Sequence, residues 1–350
     1  MRATFITGMC LGGEPAAHLL LLCCPGIGNV PMRHLFDRRL FHKVIVALEE
    51  QGPDEAGEQA AQLADRLPPY DICFNGVGDA DLSADFLEDV RDLSAALTRP
   101  VLNPIERIAR TRRDRVPDLL AGIPALLAPQ VRRVSGEELK QLAAEPGDLT
   151  FPQLLRPAGD HGGDALLRLG DAAELAREAA NAIHSAYYLT DFVDYASADG
   201  WYRKYRLVYV DRAVFPYHLA ISRDWKLHYW RSAEEMSRTD WMRAEEEAFL
   251  ADWRQIFGAA APAVEEIGRR MDLDYAGLDC GILPDGRLVL FEANAQMLVH
   301  LTDPVELFPY KHRYLPPLFQ AVDAMVLKHA AAAHAREGST TERTDTSQTP

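Results

Sequence analysis

The chain reads first as a series of short apolar runs separated by turn residues. Residues 18–24, 42–47, 71–75 and 100–102 are too short for helices and rich in β-formers, so they predict buried strands. Helical periodicity spans 56–67 and 83–97, and this alternation predicts a parallel sheet with crossover helices. Residues 104–121 read as an arginine-bearing helix. Residues 151–156 and 165–169 read as strands around a glycine-containing loop. A helix follows over 171–185, with Asp171 as its N-cap. Alternating aromatic and β-branched residues predict strands over 187–194, 201–210 and 214–222. A helical pattern covers 244–271, broken near 258–262, and a last helix covers 310–333. From His334 the chain is rich in Thr, Ser and Glu with no apolar period, which predicts a disordered tail.

One hairpin stands out. Leu278-Asp279-Cys280-Gly281-Ile282 and Leu288-Val289-Leu290-Phe291-Glu292-Ala293-Asn294 flank Pro284-Asp285-Gly286-Arg287, a strong turn signal. A four-residue loop over 284–287 sets Leu283 opposite Leu288 and, counting outward, Asp279 opposite Glu292. Period two puts Asn294 on the face of Glu292. Opposed like charges destabilise a sheet, so Glu292→Gln should stabilise the metal-free protein. A solvated outer face would explain the charges, but both faces of the second strand carry apolar residues. The strand is therefore read as interior, where carboxylates need partners or a metal. Two carboxylates and an amide oxygen suit a hard cation, magnesium above all.

Composition narrows the function classes. With 350 residues, 48% of them hydrophobic, the chain can form two or three packed units. A formal charge of −15 argues against a nucleic-acid surface. No apolar run reaches the length of a membrane span, and the N-terminus lacks a signal-peptide pattern. Cys10, Cys23, Cys24, Cys73 and Cys280 show no zinc or disulfide spacing, so a reducing cytoplasm is expected. Pro25-Gly26-Ile27-Gly28 follows the first predicted strand, but Pro31 stands where a dinucleotide fingerprint has its third glycine. That segment reads as a turn or part of a substrate cleft. Arg156 precedes Gly159, Gly162 and Gly163, whose backbone N–H groups could approach phosphate oxygens. The edge of 189–194 offers backbone groups to an adenine, although an acidic strand end is ordinary by itself.

In this order, the motifs resemble those of the ATP-grasp superfamily, carboxylate–amine ligase type, over roughly 100–301. The resemblance implies an α+β architecture: an ATP-grasp fold preceded by a small α/β parallel-sheet domain. Its divisions are 1–104, a central subdomain at 105–190, a C-terminal subdomain at 191–333 and the tail at 334–350. It implies ATP and two magnesium ions, one held by Asp279 and Glu292 and one by Glu292 and Asn294. Arg113 and Arg156 stand at the family's nucleotide-binding lysines, with Gly162 and Gly163 in the phosphate loop. Asp191, Phe192 and Val193 match the adenine hinge, and Asp199 the ribose acid. Lys204 and Arg206 lie on a strand resembling the one whose arginine stabilises the acyl phosphate in ribosomal-protein glutamate ligases. With His218 they are placed to meet a substrate carboxylate. A narrower likeness, to the ATP-grasp-like region of bacterial tetratricopeptide-repeat proteins, is carried by Pro100-Val101-Leu102-Asn103, Leu155-Arg156-Pro157 and Tyr217-His218-Leu219-Ala220-Ile221-Ser222.

The family's lysines are replaced by arginines, a planar fork in place of a point charge. The loop Ala295-Gln296-Met297-Leu298 lacks the small residues usual after the asparagine. The expected activity is amide or peptide bond formation through an acyl phosphate, from a carboxylate and an amine that are amino acids or short peptides. The alternatives are a nucleotide-binding sensor module without turnover and an ATP-dependent phosphotransferase. No nucleic-acid or membrane partner is expected, and a homodimer is left open.

Overall fold

A computed structural model describes residues 2–24, 28–49, 59–160, 163–227 and 229–345. Three sheets organise it. The first has the order Arg2–Gly8, Phe41–Glu49, Ala17–Cys23, Ile72–Asn75, Val101–Leu102. Its inner strands are parallel, and Leu19, Leu20, Leu21 and Leu22 are buried whichever face they point to. Burial on both faces explains their unbroken apolar run. Arg2–Gly8 was not predicted. It is an antiparallel edge strand with partly exposed residues on both sides, so it has neither an apolar run nor a clean alternation. The helices Ala60–Asp65 and Ala84–Ala96 pack together beside this sheet. Ser83 caps the second by accepting from Phe86 N at 3.2 Å. Of the glycine segment after Ala17–Cys23, Pro25, Gly26 and Ile27 lie outside the described residues.

The second sheet runs Val131–Ser135, Ala186–Asp191, Gln153–Pro157, Leu167–Leu169, all antiparallel. The helices Gly136–Ala144 and Ala172–Ala180 pack on it and on each other. They enclose a small separate core of Leu139, Leu155, Leu169, Leu175 and Leu189. Asp171 caps the second of these helices, as expected, through Glu174 N at 2.9 Å.

The third sheet runs Ala213–Ser222, Tyr202–Val210, Tyr275–Ile282, Leu288–Asn294, Leu126–Leu127. The helices Asp240–Ala251 and Ala261–Met271 and the long Pro316–Asp345 pack against it. Two expectations change here. The helix predicted over 104–121 is two short pieces, Ile105–Ala109 and Val116–Leu119, with turns between them. The last helix does not stop at 333 but continues to Asp345, so 334–345 is helical and not a disordered tail. Propagating an existing helix costs far less than nucleating one, and the alanine-rich stretch before His334 feeds it. No described helix is long and apolar enough to cross a membrane.

Asn103 fastens the first sheet to the third. Its side chain accepts from Tyr275 N and donates to Tyr275 O, both at 2.8 Å. Its own N–H donates to Asp274 at 2.7 Å, and its φ of 53° lies in the left-handed region that Asn tolerates best after Gly.

Candidate active site

Asp279 pairs with Glu292 across the central hairpin, as the sequence predicts, but by another route. Ile282, not Leu283, faces Leu288, so the loop has one more residue than expected. A β-bulge then compensates: Cys280 faces Leu290 and Asp279 faces Glu292, which leaves Phe291 as the extra residue. The bulge lies beside the carboxylates and presents the Phe291 carbonyl to Arg113, whose Nη1 donates to it at 3.2 Å.

The two carboxylates sit in a lattice of cations. Arg206 is opposite Asp279 on the neighbouring strand. Its fork is bidentate, Nε to Oδ1 at 2.7 Å and Nη2 to Oδ2 at 2.8 Å. Lys204 Nζ lies 3.4 Å from Oδ2. Arg113 Nη2 donates to Glu292 Oε1 at 2.6 Å, and Asn294 Nδ2 donates to the same oxygen at 2.8 Å. Arg156 donates to the carbonyl of Asp160 and lies 3.3 Å from its carboxylate. Burial pushes the Asp279 carboxyl up, but Arg206 and Lys204 outweigh it and hold it well below the usual range. Burial acts the same way on Glu292, and Arg113 and Arg156 lead the groups that bring it down. Both carboxylates are therefore ionised at neutral pH, within an excess of positive charge that suits a polyanion.

The donor set fits a hard cation in chemistry: two ionised carboxylates and an amide oxygen on one face. It is not gathered as a finished shell. Both oxygens of Asp279 are engaged by cations, and no cluster of three or more His, Cys, Asp or Glu ligands occurs among the described residues.

These groups line a cleft of about 520 Å³ between the second and third sheets. Asp191, Phe192 and Val193 border it, as do Arg113, Arg156, Gly163, Lys204, Arg206, His218, Asp279, Glu292 and Asn294. Gly163 has a φ of +79°, a conformation in which any residue with a Cβ would be strained. Gly162 lies outside the described residues. Asp199 does not join them. It forms an exposed bidentate pair with Arg203 at 3.0 and 2.9 Å and is absent from the cleft wall. The Asp191 carboxylate is tied to Gln153 Nε2 at 2.6 Å, so that strand end offers its backbone rather than its charge. His218 is buried, and burial together with Arg206 keeps its imidazole neutral, so it adds shape and not charge.

Several cleft residues had no signal in the sequence pattern. Trp225 meets Phe192 edge-to-face with ring centroids 5.4 Å apart, and Arg168 lies over the same phenyl ring at 4.4 Å. Lys226 Nζ clasps the far side of the glycine loop, donating to Asp164 O at 3.0 Å and Leu166 O at 2.8 Å. Trp225 and Lys226 sit in a polar turn where no periodicity operates. At the other end, the Tyr217 hydroxyl accepts from His300 N at 2.7 Å and donates to His300 O at 3.1 Å. Beneath His218, buried Glu246 accepts from Leu219 N at 3.3 Å, and Lys311 joins it to Asp303 at 3.2 and 3.0 Å. A smaller cavity of about 70 Å³ shares Arg113, Arg156 and Glu292 with the cleft and is lined further by Asp79, Asp81 and Tyr188.

The fold is similar to those of solved structures. One is the D-alanine–D-alanine ligase of Bacillus anthracis in complex with ATP, with a TM-score of 0.52, 11% identity, and coverage of 91% of this chain and 99% of that one. The VanG D-Ala:D-Ser ligase of Enterococcus faecalis gives a TM-score of 0.51 at 12% identity over 89% of this chain and 99% of that one. An ADP complex of purK, the N5-carboxyaminoimidazole ribonucleotide synthetase, gives 0.52 at 14% identity over 87% of this chain and 78% of that one. At these identities the likeness is one of fold. No protein-family model matches the sequence, and no curated protein does.

Proposed function

We propose, with the ATP-grasp fold of this chain as the premise, that it is an ATP-dependent carboxylate–amine ligase acting through an acyl phosphate. One observation carries the reading. Asp279, Glu292 and Asn294 share a cleft with the cationic side chains Arg113, Arg156, Lys204 and Arg206. Magnesium held by Asp279 and Glu292, and by Glu292 and Asn294, would neutralise charge on the transferring phosphoryl group.

The chain's own residues supply the rest. The backbone of 191–193 and the rings of Phe192 and Trp225 suit a base. Arg156 and the glycine loop suit the phosphates. A substrate carboxylate oxygen attacks the γ-phosphorus and ADP leaves. The amine nitrogen then attacks the acyl carbon, phosphate leaves, and the nitrogen gives up a proton. Arg206 and Lys204 place fixed positive charge where the acyl phosphate forms, the kind of preorganised stabilisation that dominates such transfers. Amino acids or short peptides are the substrates proposed.

A second reading, a nucleotide-binding module without turnover, has one point in its favour: Arg206 and Lys204 already engage Asp279. Product analysis separates these readings from each other and from a phosphotransferase. Amino acids and dipeptides are screened for stimulated ADP release, and products are weighed by mass spectrometry. ADP, phosphate and an amide support the ligase. ATP binding without turnover against every acceptor supports the binding module, and a stable phosphorylated product would mean a phosphotransferase.

A further inference from the structure

The strand pair that carries Arg206 and Asp279 has a feature that a ligand role for Asp279 does not explain: its carboxylate is already spoken for. The Arg206 fork takes both oxygens, at 2.7 and 2.8 Å, and Lys204 approaches one of them at 3.4 Å. A planar carboxylate in a guanidinium fork beside an ammonium is how such a pair receives a free carboxylate ligand. We propose that Lys204 and Arg206 form a carboxylate-binding subsite in which Asp279 is an internal stand-in, and that a divalent cation at Asp279 and Glu292 opens it to the substrate. This rests on the ligase reading above.

A cation and the Arg206 fork compete for one carboxylate. A carboxylate offers about four lone-pair sites, and the cationic side chains occupy most of those on Asp279. Like charges a few ångströms apart repel at the effective dielectric of a protein surface, and a divalent ion doubles the repulsion of a single charge. A cation bound to Asp279 would therefore repel the guanidinium beside it. Asp279 is 2% exposed at the centre of a strand, so the more mobile partner is the long arginine side chain. Once displaced, Arg206 and Lys204 carry two charges without their carboxylate, and the substrate's carboxylate replaces it.

The same guanidinium also donates from Nη1 to Leu298 O at 3.2 Å. The loop after Asn294 is anchored on either side of that contact, at Met297 O by the Tyr275 hydroxyl at 2.6 Å and at His300 by Tyr217. Leu298 lines the cleft and is 44% exposed. Displacing Arg206 thus alters the loop wall at the spot where a substrate would enter. The predicted order is cation with nucleotide first, carboxylate second, and the coupling is reciprocal.

The test titrates manganese, read by electron paramagnetic resonance, into the full-length protein, Arg206→Gln and Arg206→Lys. Each is titrated with manganese alone and with the non-hydrolysable analogue AMP-PNP. Without a fork to displace, Arg206→Gln should bind manganese about tenfold more tightly than wild type, with Arg206→Lys between them. Arg206→Lys keeps a charge against Asp279 and serves if the glutamine variant melts at the assay temperature. Equal or weaker manganese binding in variants with wild-type melting would overturn the exchange. Tightening with manganese alone, but no AMP-PNP binding by any of the three, would support the exchange and overturn the ligase reading instead.

Discussion

Arg113 and Glu292, 179 residues apart, meet through a hydrogen bond of 2.6 Å. The bond joins the loop ahead of the second sheet to the inner hairpin of the third, on the wall shared by the cleft and the smaller cavity. It also reverses an expectation. Cross-strand repulsion between Asp279 and Glu292 alone predicts that Glu292→Gln stabilises the metal-free protein. The surrounding guanidinium groups hold the Glu292 carboxyl below its ordinary range, so its charge favours the folded state. A depressed carboxyl contributes stability above its unfolded pKa and loses it as pH falls through the folded value. Glu292→Gln should therefore lower the melting temperature at pH 7, with the difference closing in acid. Turnover should fall by about 100-fold or more, as for loss of a principal charge-stabilising group. A variant that melts higher than wild type at pH 7 would show that repulsion dominates after all.

Arg156 is the cation nearest the glycine loop. Burial, and then Arg113, depress its pKa, yet it stays charged at neutral pH. Arg156→Ala should weaken AMP-PNP binding by about tenfold or more, the scale of one charge-assisted phosphate contact. Arg203→Ala, which removes the partner of the outlying Asp199, should leave that affinity within about twofold. Calorimetry on both variants checks the pair. Loss of affinity in Arg203→Ala alone would move the nucleotide out of the cleft.

The buried strands and the pairing of Asp279 with Glu292 were legible because apolar runs and turn residues encode them locally. The pairing was nevertheless reached through two offsetting departures, a longer loop and the Phe291 bulge. A bulge costs one residue of register and leaves no mark in composition. Arg2–Gly8 and Val131–Ser135 escaped because partly exposed strands lack the apolar signal. Arg206 was expected to act on the substrate, but its bidentate hold on Asp279 depends on which strands lie side by side. Nothing local to residues 202–210 states that. Asp199 shows the opposite case: it was placed by order along the chain, and the structure pairs its carboxylate with Arg203, four residues away and off the cleft wall.

Asp323 offers a test of the packing of the last helix. It accepts from Asp37 N at 3.0 Å, and burial pushes its carboxyl up to about 6. A raised carboxyl is stabilising when protonated, and that contribution is lost as pH rises through the folded pKa. At pH 8 the native protein therefore carries an ionised, buried Asp323 at a cost on the order of 3 kcal/mol. Asp323→Asn keeps an acceptor for Asp37 N and removes that cost. It should raise the melting temperature at pH 8 and make little difference below pH 4. A gain of equal size at both pH values would rule out the titration of Asp323 as its origin.

Asn103 separates backbone conformation from hydrogen bonding at the joint between the first and third sheets. Asn103→Ala leaves Tyr275 N and O without their side-chain partners in a buried setting, at about 1–3 kcal/mol for each group. It also forces alanine into a left-handed φ of 53°, at about a further 1–2 kcal/mol. Asn103→Gly removes the same hydrogen bonds but accepts the φ without strain. Both variants should unfold at lower urea concentration, with glycine the milder by about 1 kcal/mol. If the hydrogen bonds matter, glycine must still fall well short of wild type. A glycine variant with wild-type stability would assign Asn103 to the turn alone. The joint matters to the cleft because Tyr275 begins the strand that carries Asp279, and its hydroxyl holds Met297 in the loop that follows Asn294. Loosening it should disturb metal and nucleotide binding from a distance, with no cleft side chain altered.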